Sequence, residues 1–101
     1  MSKRPIITAV CYDKRGRILS VGQNSYTKTH PLMSRAAKAV GQPSRIYLHA
    51  EVAALLKCDW SKVDSIFVSR YNGEGKPMTA KPCLCCQHVL KLAGVNKVRH
   101  T

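Results

Sequence analysis

The sequence has 101 residues and a mass of 11.2 kDa, which suits one domain over residues 1–101 and excludes a second folding unit. Hydrophobic residues make up 45% of the sequence and charged residues 22%, a composition that excludes a disordered tail or a fibrous repeat. Lys and Arg number 17 against 5 Asp and Glu, giving a net charge of +12. A field of this sign attracts phosphate-bearing ligands, from a nucleotide to a nucleic-acid strand.

The first residues and the cysteines indicate a compartment. Met1 to Arg4 precede seven mostly apolar residues without a small-residue cleavage site, which is typical of a strand rather than a signal peptide. No apolar run approaches the roughly 20 residues of a membrane span. We therefore expect a cytosolic protein with no membrane partner, whose five cysteines are reduced and available for metal binding or thiol chemistry.

The first half of the sequence predicts a hairpin and a helix. Strand-like runs at residues 5–12 and 18–22 flank a short turn segment that contains Gly16, a pattern typical of an antiparallel hairpin. Apolar residues then recur at helical spacing over residues 32–40, and Gly41 follows. This pattern predicts a short helix with a glycine at its C-terminal end.

The second half alternates helices and strands. The sequence predicts a helix over residues 50–57, a strand over 63–68, a long loop over 71–81, a helix over 83–93 that ends before Gly94, and a strand over 95–99. The last strand–helix–strand unit favours parallel strands. The predicted fold is therefore α/β, in the order β-β-α-α-β-α-β, with helices flanking a mixed sheet.

Two clusters of metal-binding residues lie at predicted helix starts. His49 and Glu51 open the second helix, and Pro82 precedes Cys83 and Cys86 at the start of the third. Cysteines three positions apart lie on one helix face, and the N-terminal end of a helix favours the thiolate that binds metal. Two thiolates and one imidazole supply three protein ligands, so a tetrahedral zinc ion would keep a fourth position for water.

Glu51 favours a catalytic site over a structural one. Residues two apart on a regular helix point about 200° apart, so His49 and Glu51 reach one centre only if His49 occupies the capping position. A carboxylate there could take a proton from a water that zinc activates. The alternatives are a redox-active Cys-x-x-Cys pair, or a structural zinc whose fourth ligand is Cys58, Cys85, His88 or His100. For Cys85 itself we expect a packing role.

The sequence His49-Ala50-Glu51 and the later Pro82-Cys83-x-x-Cys86 resemble the signature of the zinc-dependent cytidine and deoxycytidylate deaminase superfamily. The predicted element order is similar as well, and residues 48–55 look most like compact bacterial or phage deaminases of the deoxycytidylate type. The resemblance implies a cytidine deaminase-like fold with Zn²⁺ bound by His49, Cys83 and Cys86. It also implies that Glu51 moves protons from water to the ring nitrogen and to the departing ammonia.

The resemblance also suggests residues that contact the substrate. Asn24 matches the family's asparagine at the end of the second strand, which contacts the sugar, and His30 lies in the segment where family members line the pocket. Lys28 and Arg70 are candidates for binding phosphate. The aromatic residues that could stack on a base are Tyr26, Trp60 and Tyr71.

The function that the resemblance implies is hydrolysis of a cytosine nucleotide to the uracil nucleotide and ammonia. One alternative is a deaminase acting on a base in single-stranded DNA or RNA; another is a non-catalytic, zinc-stabilised module that binds nucleic acid. Family members usually have a helix before the first strand and continue beyond the position of Thr101. We therefore expect an exposed sheet edge and an uncovered sheet face, which a homo-oligomer would cover.

Overall fold

The computed structural model describes residues 6–25, 28–41, 48–80, 82–95 and 97–101. The predicted order of strands and helices is confirmed, with a two-residue strand and a 3₁₀ helix in addition. The starting residue predicted for the first strand, Pro5, lies outside the described residues. The elements are β1 (Ile6–Tyr12), β2 (Ile18–Gln23), α1 (Pro31–Ala39), α2 (Ala50–Leu55), a 3₁₀ helix (Trp60–Lys62), β3 (Ser65–Tyr71), β4 (Pro77–Met78), α3 (Leu84–Leu92) and β5 (Lys97–His100).

The five strands form one mixed sheet with β3 inside it. β1 pairs antiparallel with β2 on one side and with β3 on the other. The opposite edge of β3 pairs in parallel with β5, and its last two residues pair antiparallel with β4. The parallel pairing expected for the last strand–helix–strand unit is confirmed. In the described part of the chain, no helix is long and apolar enough to cross a membrane.

The turn between β1 and β2 is closed by a side chain. Asp13 Oδ1 accepts hydrogen bonds from the backbone N–H groups of Arg15 and Arg17, both at 2.9 Å. Gly16 has a φ of 78°, in the left-handed region that glycine enters without a steric penalty. An aspartate that bonds to the backbone two residues later stabilises this type of turn, and the predicted antiparallel hairpin is confirmed.

The two faces of the sheet differ in what covers them. Side chains of Ala9, Ile66 and Val68 point to one face and join residues of all three helices in a buried core cluster. Val10 and Phe67 pair with each other across β1 and β3, point to the other face and lie outside that cluster. We call this second face, which carries Ile6, Val10, Val21, Phe67 and Tyr71, the open face. Three of those five side chains, namely Ile6, Val21 and Tyr71, are more than two-fifths exposed.

A close approach between β2 and α2 fixes the position of that helix. A Cβ atom on Gly22 would lie 2.7 Å from the carbonyl oxygen of Ala50 and would also overlap the backbone nitrogen of Ala54. Two residues earlier on the same face, buried Ser20 donates a hydrogen bond of 2.7 Å to the Ala54 carbonyl. Because glycine lacks a side chain, α2 rests directly on the backbone of β2.

Candidate active site and metal centre

The residue before α2 lies at the end of the sheet where β1 begins and β3 ends. Ile7 is paired with Arg70, and its backbone N–H donates to Asn24 Oδ1 at 3.0 Å. Ser25, the residue after Asn24, donates its backbone N–H to the Leu48 carbonyl at 2.8 Å. These bonds bring Asn24, Arg70 and the start of α2 to one end of the sheet.

Hydrogen bonds also bring the segment before α3 to this end of the sheet. The Ala80 N–H donates to the Thr101 carbonyl at 2.8 Å, and the Thr101 N–H donates to the Val68 carbonyl at 3.0 Å. The Arg70 N–H donates to Thr101 Oγ1 at 3.1 Å. Cys83 follows Ala80 by three residues, so α2 and α3 begin close together.

His49 and Cys83 both occupy helix-capping positions. His49 has extended backbone angles, φ −84° and ψ 157°, while its carbonyl already accepts the N–H of Ala53 at 2.9 Å. Cys83 is equivalent at α3, with φ −71° and ψ 171°, and its carbonyl accepts the N–H of Gln87 at 2.8 Å. The predicted capping position of His49 is confirmed, so His49 and Glu51 can reach one centre.

Three potential metal-binding atoms meet between the two helix starts. His49 Nδ1 lies 3.1 Å from Cys86 Sγ and 3.4 Å from Cys83 Sγ, and all three atoms lie within 4.8 Å of one another. A tetrahedral zinc ion with ordinary Zn–N and Zn–S bonds would place such atoms about 3.6 Å apart. Both the donor types and their spacing therefore fit zinc, and His49, Cys83 and Cys86 could hold it.

The described cysteines and histidines include no fourth member of this group. Cys85 is completely buried in the core cluster, which agrees with the packing role expected for it. The thiol of Cys58 is directed at the Leu55 carbonyl, 3.8 Å away. His88 and His100 are also absent from the metal-binding group. Within the described ranges, the arrangement is that of a site with three protein ligands.

Glu51 is buried beside this group. Its exposed fraction is 5%, and its carboxyl group forms a hydrogen bond with the thiol of Cys86. Burial raises the pKa of Glu51, against the opposing effect of that hydrogen bond. A higher pKa makes a carboxylate a better proton acceptor near neutral pH.

The pKa values of the two cysteines shift in opposite directions. A hydrogen bond from the Cys86 thiol, assisted by His49, lowers the pKa of Cys83 to about 3 despite partial burial. The same hydrogen bond, together with burial and the nearby Glu51 carboxylate, raises the pKa of Cys86. Both shifts have one main cause, the hydrogen bond between the two cysteines, and a metal bound by both sulfur atoms would displace the proton of that bond.

Two of the predicted substrate contacts, Asn24 and His30, accept hydrogen bonds from backbone N–H groups. Asn24 Oδ1 accepts the Ile7 N–H, as described above. His30 is the N-terminal cap of α1, where its Nδ1 accepts the Leu32 N–H at 3.0 Å. These bonds orient both side chains, and their contacts with a substrate stay predictions.

The remaining predicted contacts fall at different places. Arg70 is half-buried at the sheet end described above, and its Nε is buried without a hydrogen-bond partner among the described residues. Tyr71 is 41% exposed and points to the open face, so the structure does not bring it together with His49. Trp60 donates its indole N–H to the Leu55 carbonyl at 2.8 Å, at the far end of α2. Tyr26 lies outside the described residues.

A cleft beside α2 brings together two of the predicted substrate contacts. Asn24 and Lys28 line a cavity of about 460 Å³ together with Leu48, Ala53 and Lys57. Lys57 was not singled out in the sequence, where it falls in the last turn of the helix predicted over residues 50–57.

Comparison with known proteins identifies the family. The family model described as the cytidine and deoxycytidylate deaminase zinc-binding region matches residues 2–100. No curated protein matches. A crystal structure of a mutant cytidine deaminase from Mycobacterium tuberculosis is similar with a TM-score of 0.54 and 19% sequence identity, covering 98% of this chain and 68% of that one. At this identity the structural match shows the fold, a cytidine deaminase-like mixed α/β domain. The family match extends over nearly the whole sequence, and the chain therefore belongs to the zinc-binding cytidine and deoxycytidylate deaminase family.

Proposed function

We propose that this protein hydrolyses the exocyclic amine of a cytosine nucleotide, giving the uracil nucleotide and ammonia. The observation that carries the proposal is the meeting of His49, Cys83 and Cys86 within 4.8 Å next to the buried carboxyl group of Glu51. A zinc ion held by the three ligands would supply Lewis-acid activation of water.

Glu51 is the proposed proton carrier. In this reaction a proton leaves the attacking water, one reaches the ring nitrogen beside the amino carbon, and one leaves with ammonia. A single carboxylate close to the reacting carbon can carry out all three transfers in turn. Its burial removes competing bulk water, and its raised pKa suits it to both accepting and releasing protons.

Four residues are the proposed substrate contacts. Asn24 would bind the sugar, Lys28 and Arg70 would bind phosphate, and His30 would line the pocket. Asn24 and Lys28 share one cleft, and Arg70 lies at the same end of the sheet as the metal ligands. The proposed homo-oligomer and the cytoplasmic location rest on the sequence.

The buried carboxylate disfavours a purely structural zinc module. Taking an ionisable group such as Glu51 out of water costs free energy unless it is compensated, and a module that only binds nucleic acid has no use for a carboxyl group facing its zinc ligands. The net charge of +12 supports a second candidate, a deaminase that acts on a base in single-stranded DNA or RNA.

Ammonia release from four compounds tests these functions. The zinc-loaded protein is incubated with dCMP, dCTP, cytidine and an oligonucleotide that contains one cytosine. We expect turnover of the free nucleotides. Turnover of the oligonucleotide alone would replace the proposal by the second candidate, and no turnover with zinc bound would favour the non-catalytic module.

Replacing the proton carrier should separate catalysis from metal binding. We expect Glu51→Gln to lower the turnover rate by about 10²- to 10⁴-fold, the usual contribution of a general acid–base group, while zinc content stays at one ion per chain. Glu74→Gln is the matched control, because Glu74 is exposed in the β3–β4 turn and pairs with Lys76. A Glu51→Gln protein with unchanged turnover would exclude the assigned role.

A further inference from the structure

We infer that the end of the sheet opposite the candidate metal centre is a docking groove for single-stranded nucleic acid. We call it the turn groove. It consists of two cavities that adjoin the β1–β2 turn and are both lined by Asp13 and Lys14. The inference goes beyond the proposed function, because this groove is a second site, and binding there needs neither zinc nor a base that reacts.

The turn groove lies far from the candidate metal centre. The metal ligands gather at the sheet end where β1 begins, whereas Tyr12, the last residue of β1, lines the groove. β1 has seven residues, and a strand rises about 3.3 Å per residue, so the two places are roughly 20 Å apart. A base bound in the turn groove is therefore not the base at the metal centre.

The two cavities form one continuous surface. One, of about 350 Å³, extends from the turn across the start of β3 to β5. The other, of about 660 Å³, extends from the turn along the start of β2 to the 3₁₀ helix. Since they share two lining residues, an extended chain can follow the groove from β5 to the 3₁₀ helix.

The turn groove carries a large share of the positive charge of the molecule. Its described lining contains two carboxylates, those of Asp13 and Asp64, and six cationic side chains: Lys14, Arg15, Arg17, Lys62, Lys97 and Arg99. The excess of four positive charges is a third of the net charge of +12. A positively charged groove of this kind binds the backbone of a single strand.

Ion pairs leave several of these cations available to a ligand. Asp13 Oδ2 pairs with Arg17 Nε at 2.9 Å, and Asp64 Oδ2 pairs with Lys97 Nζ at 3.5 Å. The other cations in the lining form no ion pair within the described ranges, and three of them are fully at the surface: Lys14, Arg15 and Arg99. Phosphate groups can therefore bind there without displacing a carboxylate.

Two aromatic side chains lie beside these cations. Tyr12 and Phe67 are half-buried and line the smaller cavity. Tyr12 pairs with Ser65, two residues before Phe67 on β3, so both rings lie on the open face as diagonal neighbours. Arg99 pairs with Phe67 across β3 and β5. Bases of a single strand stack on aromatic rings and on guanidinium planes, while neighbouring cations bind the phosphates.

A single strand fits this combination better than the other possible occupants. A duplex keeps the faces of its bases stacked inside the helix, so it would leave Tyr12 and Phe67 without a stacking partner. A second copy of this chain carries the same net charge of +12, and like charges repel. The proposed homo-oligomer would therefore have to use another surface.

Binding of a thymidine oligonucleotide tests the contribution of the charges. Thymine has no exocyclic amine, so a fluorescent oligothymidylate of about 20 nucleotides is not a substrate for deamination and reports docking alone. Fluorescence anisotropy of the zinc-loaded full chain gives Kd at several salt concentrations. We expect the double variant Lys14→Gln and Arg99→Gln to bind about tenfold more weakly, through the loss of two exposed ionic contacts. The slope of log Kd against log salt should fall by about 1.4. The double variant Lys38→Gln and Lys91→Gln, with exposed lysines of α1 and α3, has the same change in net charge and should bind within about twofold of wild type.

Two conservative variants test the contribution of the rings. We expect Tyr12→Leu to weaken binding of the oligothymidylate about tenfold, the usual effect of losing one stacked base, while the salt slope stays unchanged. Phe67→Leu tests the neighbouring ring in the same way. Thermal unfolding checks that each variant is folded, and ammonia release from dCMP should not change in any of them.

The results that would overturn the inference are specific. They are an equal loss of binding in the Lys38→Gln and Lys91→Gln control, equal affinity for a duplex of the same length, or unchanged binding in both Tyr12→Leu and Phe67→Leu. Sedimentation tests the remaining occupant. If Lys14→Gln with Arg99→Gln alters self-association and leaves oligonucleotide binding unchanged, the turn groove is a contact between copies. None of these results bears on deamination of a free nucleotide, and the binding assay can be read even if no compound is deaminated.

Discussion

Three cysteines within four positions of α3 and its cap have distinct environments. Cys83 is half-buried at the cap, and Cys86 is buried one turn later and faces His49. Cys85 and Cys86 are both fully buried members of the core cluster, but Cys85 lies outside the metal-binding group. Neighbouring residues on a helix point about 100° apart, which explains why Cys85 and Cys86 reach different surroundings.

Alanine substitutions at these positions should have different effects on the metal. We expect Cys83→Ala to reduce zinc content well below one ion per chain, because it removes one of three ligands. Cys85→Ala should retain zinc and lose about 1 kcal/mol of stability through a small cavity. Zinc analysis after dialysis, with thermal unfolding of both variants, measures the difference. Loss of zinc in Cys85→Ala instead would identify Cys85 as a ligand.

Sequence reasoning was strongest at residues whose geometry is local. The placement of His49 at a helix cap, and of Cys83 and Cys86 on one face, follows from helix periodicity within a few positions. The substrate contacts depend on how distant segments meet, and Tyr71 illustrates the difficulty. Tyr71 was predicted to begin the loop over residues 71–81, whereas it ends β3, and the sheet face it occupies depends on the register between β1 and β3.

At the scale of elements, the contact of β2 with α2 positions the candidate active site. Gly22 allows the helix backbone to lie against the strand, and Ser20 bonds to the same helix. Since His49 caps this helix and Glu51 lies in its first turn, a displacement of α2 would move both relative to Cys83 and Cys86.

A methyl group at position 22, where β2 contacts α2, should destabilise the protein. We expect Gly22→Ala to destabilise the protein by about 1–3 kcal/mol, the usual cost of overpacking, and to weaken zinc binding because α2 must shift. Gln23→Ala, at the adjacent exposed position, should change stability by less than about 0.5 kcal/mol. Chemical denaturation and zinc titration check both. A Gly22→Ala protein as stable as wild type would show that the helix can move without loss.

The boundaries of elements were less predictable than their order. A strand was predicted over residues 63–68, whereas β3 spans Ser65–Tyr71, because Arg70 and Tyr71 find partners in both β1 and β4. β4 has two residues, too few for an alternating pattern. α2 was predicted to reach residue 57 but ends at Leu55.

At the scale of the whole molecule, the candidate metal centre joins parts of the chain that are far apart in sequence. His49 and Cys83 are separated by 34 positions, and they cap two different helices. A domain of about 100 residues hides a smaller share of its surface than a larger one, so its stability margin is narrow. The open face, with Val10 and Phe67 outside the core cluster, limits the buried area further. A metal bound in the folded state but not in the unfolded chain would contribute a large share of the stability.

Removing the metal should therefore lower the melting temperature of the whole domain. An ion present at 1,000 times its dissociation constant contributes about 4 kcal/mol, and each kcal/mol corresponds to about 4–8 °C in a domain of this size. We expect a strong zinc chelator to lower the Tm of wild type by about 15 °C or more, and added zinc to restore it. Cys83→Ala should melt near the chelated wild-type value and respond little to chelator. A wild-type Tm that does not change when chelator is added would contradict this prediction. The core cluster would then hold α2 and α3 in place without the metal, and the metal would contribute to catalysis only.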